Sequence, residues 1–180
     1  MLKHTGSKIG KSIYESNCAN LINEILKNSE KFNCKITCPV DAVVSKNMKN
    51  SGKNKEIIDI DEDDIILDIG AKTIAKIKNI IDNSNTVLWN GPAGYFENPH
   101  FENGTKQILE IISKRSINNN IFSVAGGGET VAAINKFNKL NSFTFVSTAG
   151  GAFLEYLEGK TLPGIKAINK NVWIKYYSIK

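Results

Sequence analysis

Arginine is nearly absent from this sequence: Arg115 is the only one among 180 residues, although the formal net charge is +5. The excess charge is lysine, scattered along the chain rather than gathered into a stripe. Proteins that read nucleic acid cluster Lys and Arg on one face and use arginine for base contacts, so no nucleic-acid partner is expected. The surplus of Lys, Asn and Ile reads as coding bias instead. Long apolar runs are lacking too. No segment reaches the roughly 20 apolar residues that a membrane helix requires. The opening Met1-Leu2-Lys3-His4-Thr5-Gly6 has no apolar stretch of signal-peptide type. A soluble, cytoplasmic protein with no membrane partner is the expectation. Cysteine is scarce and odd in number, and Cys18, Cys34 and Cys38 therefore do not make a disulfide framework. The two histidines, His4 and His100, lie far in sequence from Cys34 and Cys38, which argues against zinc. Free thiols in a reducing compartment are expected.

Internal repeats and Pro/Gly-rich linkers are also missing, so the chain reads as one domain. Its length suffices to bury roughly 70% of the unfolded surface. What is present is an alternation of helix and strand. Leu21, Ile22, Ile25, Leu26 and Phe32 recur at helical spacing over 16–32, with Ser16 or Asn17 as N-cap. Lys35–Cys38 reads as a short strand stopped by Pro39. The polar stretch 45–64 carries the acid run Asp59, Asp61, Glu62, Asp63 and Asp64, read as a solvated loop with cation binding as the alternative. Strands follow at Ile65–Ile69, Thr86–Asn90, Ile121–Ala125 and Phe143–Ser147. Between and after them lie helices over 72–82 (Ile74, Ile77 and Ile81 on one face), Thr105–Lys114 (Ile108, Ile111 and Ile112 inward), 129–138 and 151–158, the last closed by Gly159. This pattern predicts an α/β fold: three layers, doubly wound, with a mainly parallel, Rossmann-like sheet. Ligands in such sheets sit beyond the carboxyl ends of the strands.

Three segments occupy those ends. Trp89-Asn90-Gly91-Pro92-Ala93-Gly94-Tyr95-Phe96-Glu97 is a tight, pre-shaped loop. It is either a ligand edge, with Glu97 accepting from hydroxyls, or an ordinary turn with a solvated glutamate. Gly126-Gly127-Gly128-Glu129-Thr130 opens a helix, where side-chain-free amides and the helix N-terminus favour an anion. Thr130 would cap the turn or bond a phosphate oxygen. Glu129 would repel a bare phosphate but suits one shared with Mg²⁺. A turn for close strand–helix packing is the competing reading. Thr148-Ala149-Gly150-Gly151-Ala152 enters another helix and repeats the pattern. Together with Glu97 the two glycine segments describe a site for a polyphosphate and its sugar. No nucleophile with a base beside it is evident, which fits phosphoryl transfer, where positioning and charge stabilisation do most of the work.

These segments, with Leu157-Glu158-Gly159-Lys160 and Leu162-Pro163-Gly164, resemble in order the C-terminal domain signatures of phosphoglycerate kinases. Weaker likenesses are Ile9-Gly10-Lys11-Ser12, Pro39-Val40-Asp41-Ala42-Val43-Val44 and Leu67-Asp68-Ile69-Gly70. The resemblance covers 1–168 and leaves 169–180, with Trp173, Tyr176 and Tyr177, as an unrelated tail. It implies phosphoryl transfer between ATP and 3-phosphoglycerate in glycolysis, with Mg²⁺, by a family that is usually monomeric. Glu97 would hold the ribose, and Asn90, Pro92 and Gly70 would join the nucleotide site. Gly127, Gly128, Glu129 and Thr130 would form the phosphate and Mg²⁺ segment, with Glu129 facing the metal through the nucleotide. Amides near Gly128 and Gly151 would stabilise the group in flight. The sequence departs from the family at Glu129, where aspartate is usual, at Ala149, where many members have glycine, and at Ala71, where proline is common. The resemblance further implies that the sheet is incomplete on its N-terminal side. The phosphoglycerate-binding domain would then be absent, and 3-phosphoglycerate would be used only if that domain is supplied. The alternative is a catalytically inactive Mg-nucleotide-binding remnant, or the product of a decayed or split gene.

Overall fold

The β-branched runs make most of the strands, but not all in one sheet. The computed structural model describes residues 1–118 and 120–169. Apart from Asn169, the tail expected at 169–180 lies outside them. The chain forms two compact units. Met1–Ser84 and Pro92–Ile111 make the first, and Asn85–Gly91 with the described residues from Ile112 to Asn169 make the second.

The first unit contains α1 (Ala19–Lys31), β1 (Asp41–Ser45), β2 (Lys53–Glu56), β3 (Ile65–Ile69), α2 (Ala71–Asp82) and the first part of α3 (Asn103–Ile117). Its sheet runs β2-β1-β3 and is antiparallel throughout. Ala42, Val44, Ile57 and Ile60 form its core, with Leu2 and Ile66 packed against them. Several expectations are corrected here. Lys35–Cys38 forms no strand; the chain pairs after Pro39, where Val43 and Val44 supply the β-branched side chains. The polar stretch 45–64 is not all loop, since it contains β2. The strand at Ile65–Ile69 pairs antiparallel with β1 instead of joining a parallel sheet. Helix α1 buries Ile22 but leaves Leu21, Ile25 and Phe32 exposed, and its N-cap is Cys18 rather than Ser16 or Asn17.

The second unit contains β4 (Thr86–Asn90), β5 (Phe122–Gly126), α4 (Gly128–Lys136), β6 (Phe145–Val146), α5 (Gly151–Leu157) and α6 (Pro163–Asn169). Here the expected parallel sheet is present, in the order β4-β5-β6. Trp89, Ser123 and Ala125 are buried on one of its faces, and Trp89 stacks on Phe143 with ring centroids 6.0 Å apart.

Two buried carboxylates organise the first unit. Asp41 is fully buried and caps α2 from a distant strand. One oxygen accepts from the Thr73 amide at 2.8 Å and the Thr73 hydroxyl at 2.7 Å; the other accepts from the Lys72 amide at 2.9 Å and the Asn54 side chain at 3.2 Å. Burial alone would raise its pKa, but the Thr73 hydroxyl, those amides and Asn54 outweigh it and the net shift is downward. Asp68, at 2% exposure, accepts from the Gly104 amide at 2.7 Å in the first turn of α3, and from the Ile69 amide at 2.8 Å. A side chain at Gly94 or Gly104 would run into its carboxylate. Burial pushes Asp68 up to about 6, against the opposing pull of the Gly104 and Ile69 amides.

Two outcomes follow from these caps. Asp41→Ala strands four donors and should destabilise the unit by about 3 kcal/mol, read as a fall in the urea midpoint. Asp41→Asn, which keeps one acceptor, should cost less. Asp68 acts with the opposite sign from a stabilising carboxylate. Its folded pKa lies above the ordinary value of 3.8, so between about pH 4 and 6 the folded chain holds a proton that the unfolded chain has released. Stability should therefore fall as pH rises through that window, by about 3 kcal/mol in all. Urea unfolding of the Asp68→Asn variant at pH 4.5 and 7.5 should show this decline removed relative to the parent chain.

Candidate functional site

The phosphate-loop candidates of the second unit come together at the carboxyl ends of β4, β5 and β6. After Gly126 the backbone turns at Gly127, with φ 95° and ψ 140°, and enters α4. That positive φ favours glycine, and a Cβ there would also stand 2.5 Å from the Asn90 side-chain oxygen. The N-terminus of α4 has no side-chain cap. Gly128 and Glu129, in its first turn, are both exposed, and no atom lies within 4 Å of the position a Gly128 Cβ would take. First-turn amides of a helix have no partner inside the helix, so an uncapped, exposed turn is a seat for an anion. Thr130 is different. It is 1% exposed, and its hydroxyl accepts from the Gly91 amide at 2.6 Å. It joins the two loops of this unit from the inside.

Gly151 opens α5 after Gly150, which has φ 54°. It too is exposed, with nothing within 4 Å of a built Cβ. The Ser147 amide donates to the Ala125 carbonyl at 2.8 Å, which ties the start of this segment to the end of β5. Asn90, Gly127, Gly128, Glu129, Thr130 and Gly151 thus belong to one end of one parallel sheet.

The remaining candidates lie in the first unit. Glu97 is exposed in a turn, and Pro92 is half-buried. The loop between them is pinned by Thr105, whose buried hydroxyl accepts from the Ala93 and Gly94 amides at 3.0 and 3.2 Å. Thr105 was not among the sequence candidates; a hydroxyl in the first turn of a helix carries no mark of the loop it will hold. Gly70 is buried as the N-cap of α2. A side chain there would meet the Asp41 carboxylate, so this helix end is already occupied by the protein's own anion.

The acid run is largely the solvated loop expected, with Asp59, Asp61, Glu62 and Asp63 exposed, but Asp64 departs from that reading. Asp64 is buried and takes Lys55 at 2.7 Å and Lys46 at 3.2 Å; Lys55 also reaches Asp61 at 2.7 Å, and Lys46 pairs with Asp63. Burial raises the Asp64 pKa, but the hydrogen bond from Lys55 and those from the Asp61 amide and Lys46 overcome it and bring it to about 2. Asp61, Asp63 and Asp64 lie close enough together to share a cation, yet two ammonium groups already fill that role.

Comparison with known proteins bears on the family and the fold. The family model described as phosphoglycerate kinase matches residues 1–160. The chain belongs to the phosphoglycerate kinase family. It is 44% identical over 168 residues to a phosphoglycerate kinase of Xanthobacter autotrophicus, covering 92% of this chain and 42% of that protein. It is 42% identical over 168 residues to that of Blochmanniella floridana, again covering 92% of this chain and 40% of the relative. Among solved structures, phosphoglycerate kinase from Coxiella burnetii superposes with a TM-score of 0.87 at 35% identity, over 94% of this chain and 43% of the other. That from Pyrococcus horikoshii gives a TM-score of 0.70 at 27% identity. The chain therefore spans about two fifths of the length of the phosphoglycerate kinases it matches, and its α/β fold is theirs over that stretch.

Within this family member, the Thr130 hydroxyl serves the fold. Thr130→Val should leave the Gly91 amide unsatisfied and cost about 1–3 kcal/mol in denaturant unfolding, while Thr130→Ser should stay close to the parent chain.

Proposed function

We propose that this chain holds the phosphate end of a magnesium nucleotide, ADP or ATP, as a nucleotide-binding portion of a phosphoglycerate kinase. One observation carries the reading: the N-terminus of α4 is exposed and uncapped, whereas those of α2 and α3 receive Asp41 and Asp68. The amides of Gly127, Gly128 and Glu129 would take phosphate oxygens, with Asn90 beside them. The donor set fits a metal-neutralised phosphate, since an exposed carboxylate, Glu129, stands among the amides. Magnesium would supply the charge that lets a carboxylate and a phosphate share this turn. Gly128 and Gly151 are the positions we assign to stabilising the transferred group, and 3-phosphoglycerate is the acceptor by family. For Glu97 as a ribose contact the support is its motif and its exposure alone. No helix among the described residues is long and apolar enough to cross a membrane, and we place the protein in the cytoplasm.

Calorimetry tests this. Mg-ADP titrated into the 180-residue chain should bind with millimolar affinity, and EDTA should weaken binding. Glu129→Gln should reduce the gain from magnesium while improving binding of metal-free ADP. An absence of heat at millimolar Mg-ADP, or an identical magnesium dependence in the variant, would remove the assignment.

A further inference from the structure

The stretch from Pro92 to Phe101 in the first unit forms no helix or strand, yet it is fastened at several points. The Ala93 and Gly94 amides donate to the Thr105 hydroxyl. The Tyr95 amide donates to the Leu67 carbonyl of β3 at 2.8 Å. Phe96 and Phe101 are buried. Asn98 carries the most bonds of all. Its amide donates to the Tyr95 carbonyl at 3.1 Å, and its carbonyl accepts from the Phe101 amide at 2.9 Å. Its side-chain oxygen accepts from the His100 amide at 3.0 Å, which closes a local turn. Its side-chain nitrogen donates to the Met48 carbonyl at 2.7 Å, in the connection between β1 and β2. That last bond joins positions 50 residues apart.

Between Phe96 and Asn98 stands Glu97. It is exposed, and its carboxylate takes no partner among the described residues. A glutamate that only meets solvent needs no such support on either side. Here the buried Phe96 ring and the bonds of Asn98 fix its backbone, and only its own side chain is left to turn. A group held this way loses less freedom on meeting a ligand, and a binding contact tolerates little slack in what presents it. We infer that Asn98 is the positioning residue for Glu97, its bond to the Met48 carbonyl fixing the turn that presents the carboxylate to ribose hydroxyls. The bond to His100 shapes the turn from within. The bond to Met48 sets where the turn lies in the first unit, because it is the side-chain bond of Asn98 that leaves the segment. This inference rests on the nucleotide reading proposed above, and adds to it a residue that need touch no ligand.

The test titrates two ligands, Mg-ADP and Mg-pyrophosphate, into the 180-residue chain and reads their affinities by ligand-observed nuclear magnetic resonance. Asn98→Ser keeps an oxygen for the His100 amide but cannot reach Met48; Asn98→Ala keeps neither bond. Each should weaken Mg-ADP roughly fivefold, the order of one hydrogen bond. Mg-pyrophosphate, which has no sugar hydroxyl for Glu97, should bind as before. Glu97→Ala should give the same pattern. Adding Asn98→Ser to Glu97→Ala should cost nothing more, because a positioning residue acts only through the group it positions. Equal losses for both ligands make Asn98 a part of the fold alone and overturn the inference. So does unchanged affinity for Mg-ADP, or additive losses in the double variant. If circular dichroism shows Asn98→Ala unfolded, Asn98→Ser decides. A parent chain that binds no Mg-ADP removes the nucleotide reading, and this inference with it. That outcome is distinct from the others, which all require a parent that binds.

Discussion

The first unit depends on a carboxylate that meets N–H and O–H donors where a cation might have stood. Asp41 lies on β1, yet its oxygens take up the first-turn amides of α2 and the Asn54 side chain of β2. Three elements distant in sequence are thereby fixed by one group. The neighbouring ammonium of Lys72 does not join them but goes to Glu56 at 2.5 Å. Charge is balanced by dipoles, which hold a carboxylate in one geometry better than a mobile lysine does. Asp68 repeats the device at α3 with fewer donors and correspondingly less success, and its pKa rises where that of Asp41 falls. Having filled two helix ends with its own anions, the protein leaves the end of α4 open.

The second unit was legible in the sequence because its signals are local. Thr86–Asn90 is an apolar run bounded by Asn83-Ser84 and by Gly91-Pro92, and the strand has the expected limits. The glycines after β5 announce a turn whether or not one knows what it binds. Most of the first unit was less legible. The sequence Lys53-Asn54-Lys55-Glu56 has no apolar alternation at all, and it becomes a strand only because β1 pairs with it and Lys55 reaches the buried Asp64. That stabilisation is long-range and cannot be read from a window of residues. The same holds for α1, where Leu21, Ile25 and Phe32 recur at helical spacing yet stay exposed. Periodicity identifies which residues share a face, not whether anything packs against it.

Site and fold part company at Thr130 and Gly70. Both lie in segments whose likeness to the family suggested ligand contact, and both are sealed from solvent, one by the Gly91 amide and the other by Asp41. A segment that shapes a phosphate turn must spend some of its polar residues on holding the turn itself. Exposure separates the two kinds within a single stretch: Gly128 and Glu129 face outward, and Thr130 faces in.

Glu129 is the residue whose chemistry is least symmetric between the free and occupied states. In the first turn of α4 a carboxylate interacts favourably with the helix dipole, by about 0.3–1 kcal/mol at an exposed position. That stabilises the empty turn. A bare phosphate arriving at the same amides would meet a like charge a few ångströms away, and the unscreened repulsion of two such charges in water is itself about 1 kcal/mol. The two effects have the same sign with respect to metal-free ligand, since each favours the empty turn. A divalent cation, held with the phosphate near Glu129, would supply the charge that offsets both effects. On the proposed reading, metal dependence of phosphate binding would arise at this turn from one acidic side chain at an otherwise uncapped helix end.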